Sequence, residues 1–214
     1  SNDYVEIEDD DALDLTSEIS IAAWINIDSL SSGYNMIVSK QESDTSGSYA
    51  FYVYKTGGGD TMPAFSYIKD GADSASSCTA ADGHISTDNW IHVAVTKSST
   101  EIKLYVDGTS VKTCDETSDI EVSELDLFIG ARKTSSEFDD FFDGTIDAVG
   151  LWSDALTADE VEDIFWGGDN IKPIVNASGG GYAFNISADQ SQLKGFELQY
   201  TGSDEENSAQ KGDA

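Results

Sequence analysis

Glu6, Glu8 and Asp10 alternate near the start of the chain, so in an extended segment their carboxylates share one face. Two carboxyl groups at the right separation are what glycoside hydrolysis needs as acid and nucleophile. The Asp-rich turn that follows marks this run as solvated surface instead. His84 and His92 are the two histidines, and neither falls in a Ser/His/Asp or Cys/His arrangement or a zinc-ligand spacing. Bond-breaking chemistry therefore has no home in the sequence, and the expectation is a protein that is not an enzyme. Recognition is different. Tyr49-Ala50-Phe51-Tyr52-Val53-Tyr54 places Tyr52 and Tyr54 on one face of a strand, with Tyr49 and Phe51 on the other. One face must be core, so the other carries surplus aromatics of the kind that stack on sugars. Tyr34, ahead of Met36, and Phe141, in the Phe138–Phe142 loop, are further candidates. Tyrosine also fills the second sheet of ordinary sandwiches, so a packing role stays open for each.

Charge bounds the partners. Forty-one acids against eleven bases give a net charge of −30, and Arg132 is the single arginine. Such a chain is repelled by nucleic acid and anionic headgroups. No apolar run is long enough to span a membrane. Nine Tyr, nine Phe and four Trp in strand patterns argue against disorder. The acid excess reads as adaptation to high salt, where the Debye length falls to roughly 3 Å and carboxylate repulsion is screened. An acidic, calcium-binding extracellular domain is the alternative. The chain opens inside a strand-like segment without a signal peptide, and so reads as a piece of a larger protein.

Cys78 and Cys114 lie in stretches that read as strands; they are either a disulfide or two buried thiols. Asn176-Ala177-Ser178 and Asn185-Ile186-Ser187 match the glycosylation acceptor pattern at Asn176 and Asn185. Together these favour an extracellular or cell-surface location.

The elements that must position these residues are short strands parted by Gly, Ser, Asp and Asn breaks. Trp90-Ile91-His92-Val93-Ala94-Val95-Thr96 and Leu104-Tyr105-Val106-Asp107-Gly108 are the clearest. This hairpin resembles the signature of laminin-G-like domains in the concanavalin A-like superfamily. Asp3–Ile7, Ile19–Ile25, and Phe142–Val149 leading into Trp152–Val161 match in the same order. The resemblance implies an all-β antiparallel sandwich, a jelly roll, over residues 1–168. Thr157 and Glu160 form a capping box for one short helix whose Val161, Ile164 and Phe165 share a face, with Gly167-Gly168 ending it.

Residues 169–214 lie outside the resemblance. Ile171–Val175, Tyr182–Ser187 and Phe196–Tyr200 read as strands of a partial immunoglobulin-like module or a strand donor, followed by a polar, mobile tail. The family's first strand is missing. Tyr182–Ser187, or a strand from a neighbouring copy, is expected to fill its place beside Tyr4–Ile7.

The resemblance also implies a calcium ion at the rim, held by Asp147 of the G-x-I-D motif with Asp3, Asn2 and, less directly, Asp143. The glucanases of the superfamily carry a Glu-x-Asp-x-Glu triplet that is absent here. The expected function is a non-catalytic adhesion or recognition module of a halophile surface protein, binding glycan or protein partners. The alternative is a filament subunit assembled by strand exchange between copies, and the third reading is a polysaccharide-active enzyme.

Overall fold

The computed structural model describes residues 3–72, 74–167 and 175–177. Two six-stranded antiparallel sheets stack face to face. The first runs, in spatial order, β1 (Val5–Ile7), β10 (Leu127–Ile129), β3 (Gly33–Ser43), β4 (Ser46–Lys55), β5 (Thr61–Ile68) and β6 (Ala75–Thr79). The second runs β14 (Val175–Ala177), β13 (Asp143–Trp152), β2 (Ile19–Ser29), β7 (Trp90–Lys97), β8 (Glu101–Val106) and β9 (Thr109–Asp115). A small hairpin of β11 (Arg132–Lys133) and β12 (Phe138–Asp139) stands apart.

Period-two alternation decides what lies between the sheets. Ile19, Ile21, Ala23, Ile25 and Ile27 of β2 meet Tyr49, Phe51 and Val53 of β4 in one core, joined by Ile91, Val93 and Val95 of β7. Burying each large side chain contributes about 1.5–3 kcal/mol. Asp107 and Gly108 close the β8–β9 hairpin with φ of 47° and 73°, the two positive values that a type I′ turn demands.

Cys78 on β6 and Cys114 on β9 form the disulfide, with Cα atoms 5.9 Å apart. Each strand ends its own sheet, so the bridge ties one open side of the sandwich shut.

Helix α1 (Ala158–Phe165) covers the outer face of the second sheet. Its capping box is complete: Thr157 Oγ1 accepts from the Glu160 N–H, and the Glu160 carboxylate accepts from the Thr157 N–H at 2.8 Å. Val161 and Ile164 pack on Ala22, Ala94, Tyr105 and Trp152. Phe165 stacks on Trp24, 5.6 Å between centroids, and lies 5.8 Å from His92.

Two pairings at the sheet edges carry no signal in the sequence. β1 pairs with β10, Val5 opposite Ile129, so it borders the first sheet and not the β13 strand that carries Asp147. The described part of the C-terminal extension, Val175–Ala177, pairs with β13 and not with Tyr4–Ile7. Apolar β13 residues Val149 and Leu151 supply the edge it joins. Tyr182–Ser187, Phe196–Tyr200 and the tail lie outside the described residues.

Candidate ligand-binding face

Pairing of β3 with β4 sets Tyr34 opposite Tyr54 and Met36 opposite Tyr52. All four side chains point away from the core, where Met36, Tyr52, Ala50 and Ala64 form a cluster with Tyr34 and Tyr54 packed against it. The Tyr34 ring meets Tyr52 edge-on at 5.0 Å and Tyr54 at 5.6 Å. Tyr52 is the floor, 5% exposed, while Tyr34 and Tyr54 are half-buried and reach solvent. The structure thus brings together three of the four aromatic candidates. Phe141 is half-buried in the chain between β12 and β13 and has no contact with this cluster among the ring pairs.

Polar groups continue the face. The Ser66 hydroxyl donates to Gln41 Oε1 at 3.2 Å and sits beside the Tyr52 phenol. Gln41 Nε2 donates to the Ser48 carbonyl at 3.3 Å. Burial pushes the Tyr52 phenol up to about 12, and burial with the nearby Asp44 carboxylate raises Tyr34. Both phenols therefore stay protonated at neutral pH.

The β11–β12 hairpin closes one side. The Met36 N–H donates to the Asp140 carbonyl at 2.9 Å, which anchors the hairpin's end to β3. Arg132 then lies with its guanidinium 5.1 Å from the Tyr34 ring centroid. Its Nε faces Asp139 at 3.4 Å, Nη1 faces Asp44 at 3.4 Å, and Nη2 pairs with Asp140 at 2.5 Å. The Tyr34 hydroxyl donates to the other Asp44 oxygen at 3.2 Å. Burial raises the Asp140 carboxyl, with Arg132 opposing it. Beyond the hairpin, Phe138 stacks on Tyr4 at 4.0 Å, and Lys133 lies over Phe138 and Phe128 and 4.0 Å from Glu6.

The remaining candidates are scattered. Glu6 is taken up by Lys133, Glu8 is exposed, and Asp10 accepts from the Ala12 N–H at the turn Asp11–Leu13. Asp147 stands opposite Trp24 and accepts from the Ala148 N–H at 2.7 Å. Asp143 accepts from the Ser29 hydroxyl, and Asp3 precedes β1 with its carbonyl against Gly130, close to the Ile146 side chain of β13. Among the described residues no three His, Cys, Asp or Glu side chains are gathered to hold a metal ion. Asn2, the remaining residue of the calcium site that the resemblance implies, lies outside the described residues. Asn176 sits within β14 opposite Gly150, and Asn185 lies outside the described residues. His92 is buried against Trp24 and Phe165, and loss of solvation drives its imidazole down to about 4, so it is a neutral packing group.

Sequence reasoning missed Arg132, Asp44, Gln41 and Ser66 as members of this face, while Asp139 and Asp140 belong to the Phe138–Phe142 loop it had named. The one available signal was that Arg132 is the only arginine and stands in an acidic stretch. Trp90 and Trp166, 46% and 74% exposed, were not read as exposed aromatics. Among the described residues no helix is long and apolar enough to cross a membrane.

Two stacked antiparallel sheets with one short helix define a domain of the jelly-roll class. A laminin-G-type family model, described as the concanavalin A-like lectin/glucanases superfamily, matches residues 1–162, and the chain belongs to that superfamily. Its fold is similar to domain 4 of AbnA, a GH43 extracellular arabinanase of Geobacillus stearothermophilus, solved with arabinotriose. That match has a TM-score of 0.54 and 18% identity, covering 74% of this chain and 70% of the other. The CBM40 of Ruminococcus gnavus IT-sialidase, bound to α2,3 sialyllactose, matches with a TM-score of 0.56 and 14% identity, covering 72% and 85%. A putative carbohydrate binding protein of Bacteroides ovatus matches with a TM-score of 0.57 and 19% identity, covering 76% and 44%. At these identities the likeness concerns the fold. No sequence among the curated proteins matches significantly.

Proposed function

We propose that this chain is a non-catalytic glycan-binding module of an extracellular or surface protein working in high salt. The observation that carries it is the Tyr34–Tyr52–Tyr54 cluster on the outer face of the first sheet, with Gln41 and Ser66 beside it. A sugar ring presents apolar C–H faces and polar hydroxyls together, and this face offers rings and hydrogen-bonding groups side by side. Similar folds occur in carbohydrate-binding modules, which supports the same reading. The disulfide suits an oxidising compartment. Protein partners are the secondary possibility on the same face. A glycan array in molar salt is expected to give binding that Tyr54→Ala weakens about tenfold, a loss of about 1.4 kcal/mol. An array blank for the folded wild-type chain, or full binding by Tyr54→Ala together with Tyr34→Ala, would remove the proposal.

A further inference from the structure

Glycan ligands divide first by charge. A carboxylated sugar is held best by an arginine whose planar fork meets the carboxylate through two parallel N–H bonds. The binding face has one arginine, and its fork is already in use. Nε, Nη1 and Nη2 of Arg132 each face a different carboxylate, from Asp139, Asp44 and Asp140. One face of the guanidinium plane lies toward Tyr34. Lys133, the next cation, is placed over Phe128 and Phe138 and near Glu6. Three carboxylates thus surround one guanidinium at the edge of the tyrosines, leaving a local excess of negative charge.

From this occupancy we infer that the face selects neutral glycans and rejects sialylated or uronic ones. The inference rests on the glycan-binding reading above and specifies its ligand class. It runs opposite to the sialyllactose held by the structurally similar CBM40. Two effects act in the same direction. At low ionic strength the −30 chain repels any anion at a distance. In molar salt that field is screened within about 3 Å, and only the filled contacts of Arg132 remain to discriminate.

The test is a glycan array in molar potassium chloride carrying matched pairs, each neutral oligosaccharide beside its sialylated form, lactose beside sialyllactose among them. Wild type is expected to retain neutral members at least about tenfold more tightly than their sialylated partners. The Asp44 and Asp139 side chains both reach solvent, so Asp44→Ala with Asp139→Ala frees two guanidinium nitrogens at little cost to the fold. That double variant is expected to bind sialylated members more tightly relative to their neutral partners than wild type does, with an unchanged melting temperature as control. Equal or tighter wild-type binding of sialylated members would overturn the selectivity and leave the glycan reading standing. No gain in the double variant would show that Arg132 occupancy is not its cause. An array with no bound glycan would instead remove the reading beneath both.

Discussion

Tyr34 donates a hydrogen bond to Asp44 at 3.2 Å, although the two residues stand at opposite ends of β3. Ten straight strand residues would hold them roughly 33 Å apart, far beyond the reach of both side chains. The strand must therefore curl toward its outer face. Register shifts with β4 at Met36/Val38, Ser39/Gln41 and Gln41/Ser43 are where it does so, since bulges bend a strand and tighten its twist. Between the two ends Met36, Ser39 and Gln41 are buried although they face outward. The tyrosine face owes its shape to this curl.

Gly47 makes the curl possible. It pairs with Gln41 at φ 114°, and a Cβ there would lie 2.5 Å from the Gln41 Cα and 2.7 Å from the Lys40 carbonyl oxygen. Both contacts are with backbone, so no side chain can move aside. Gly47→Ala is expected to cost at least about 1–3 kcal/mol. Thermal melting checks it, and an unaltered midpoint would disprove the strained approach.

Cys78→Ser with Cys114→Ser frees β6 from β9. Closing a loop of 36 residues is worth about 4 kcal/mol in the chain-entropy account. Denaturant unfolding of the double variant should show a stability lower by roughly that amount, with the first loss of protection in amide exchange at β6 and β9.

His92 links stability to pH. Its folded imidazole titrates at about 4 against an ordinary 6.5, because burial between Trp24 and Phe165 penalises the cation. The unfolded chain therefore binds the proton first as pH falls. Stability is fully present above 6.5, declines between 6.5 and 4, and the lost contribution levels off below 4, at most ~3 kcal/mol. Glu116 works in a lower window. Hydrogen bonds from Ser76, Ser118 and Thr117 outweigh its burial and hold it at about 2, so its contribution is present above 4.5 and fades toward 2. His92→Leu should flatten the limb between 6.5 and 4 and leave the lower one in place, read from unfolding midpoints across pH.

Salt dependence follows from the −30 charge. Moving from molar salt to 0.1 M lengthens the screening distance from about 3 Å to about 10 Å, so neighbouring surface carboxylates begin to repel. The melting temperature is expected to fall on desalting, by the same amount for potassium and sodium chloride. A midpoint independent of salt would refute the halophilic reading.

Much of the fold was legible because its signals are local. Asp107-Gly108 announces a tight turn through φ alone, and Thr157 with Glu160 announces a helix start through two hydrogen bonds within one turn. The alternation along Tyr49–Tyr54 sorted Tyr52 and Tyr54 from Tyr49 and Phe51. It could not say which pair faces the core, because a period of two is symmetric between its faces. The edge joined by β1 and the strand joined by Val175–Ala177 could not be read for a related reason: backbone pairing has no side-chain code that names a distant partner.

Local residue order by itself determined the strands, the turns, the capped helix and the acid excess, since each depends on neighbours a few positions apart. Only the tertiary structure decided the make-up of the tyrosine face. Arg132 meets Asp44 across 88 residues, and Tyr34 reaches Asp44 because β3 curls. Contacts of that range are set by how whole sheets stack and bend, and stacking is a property of the assembled chain.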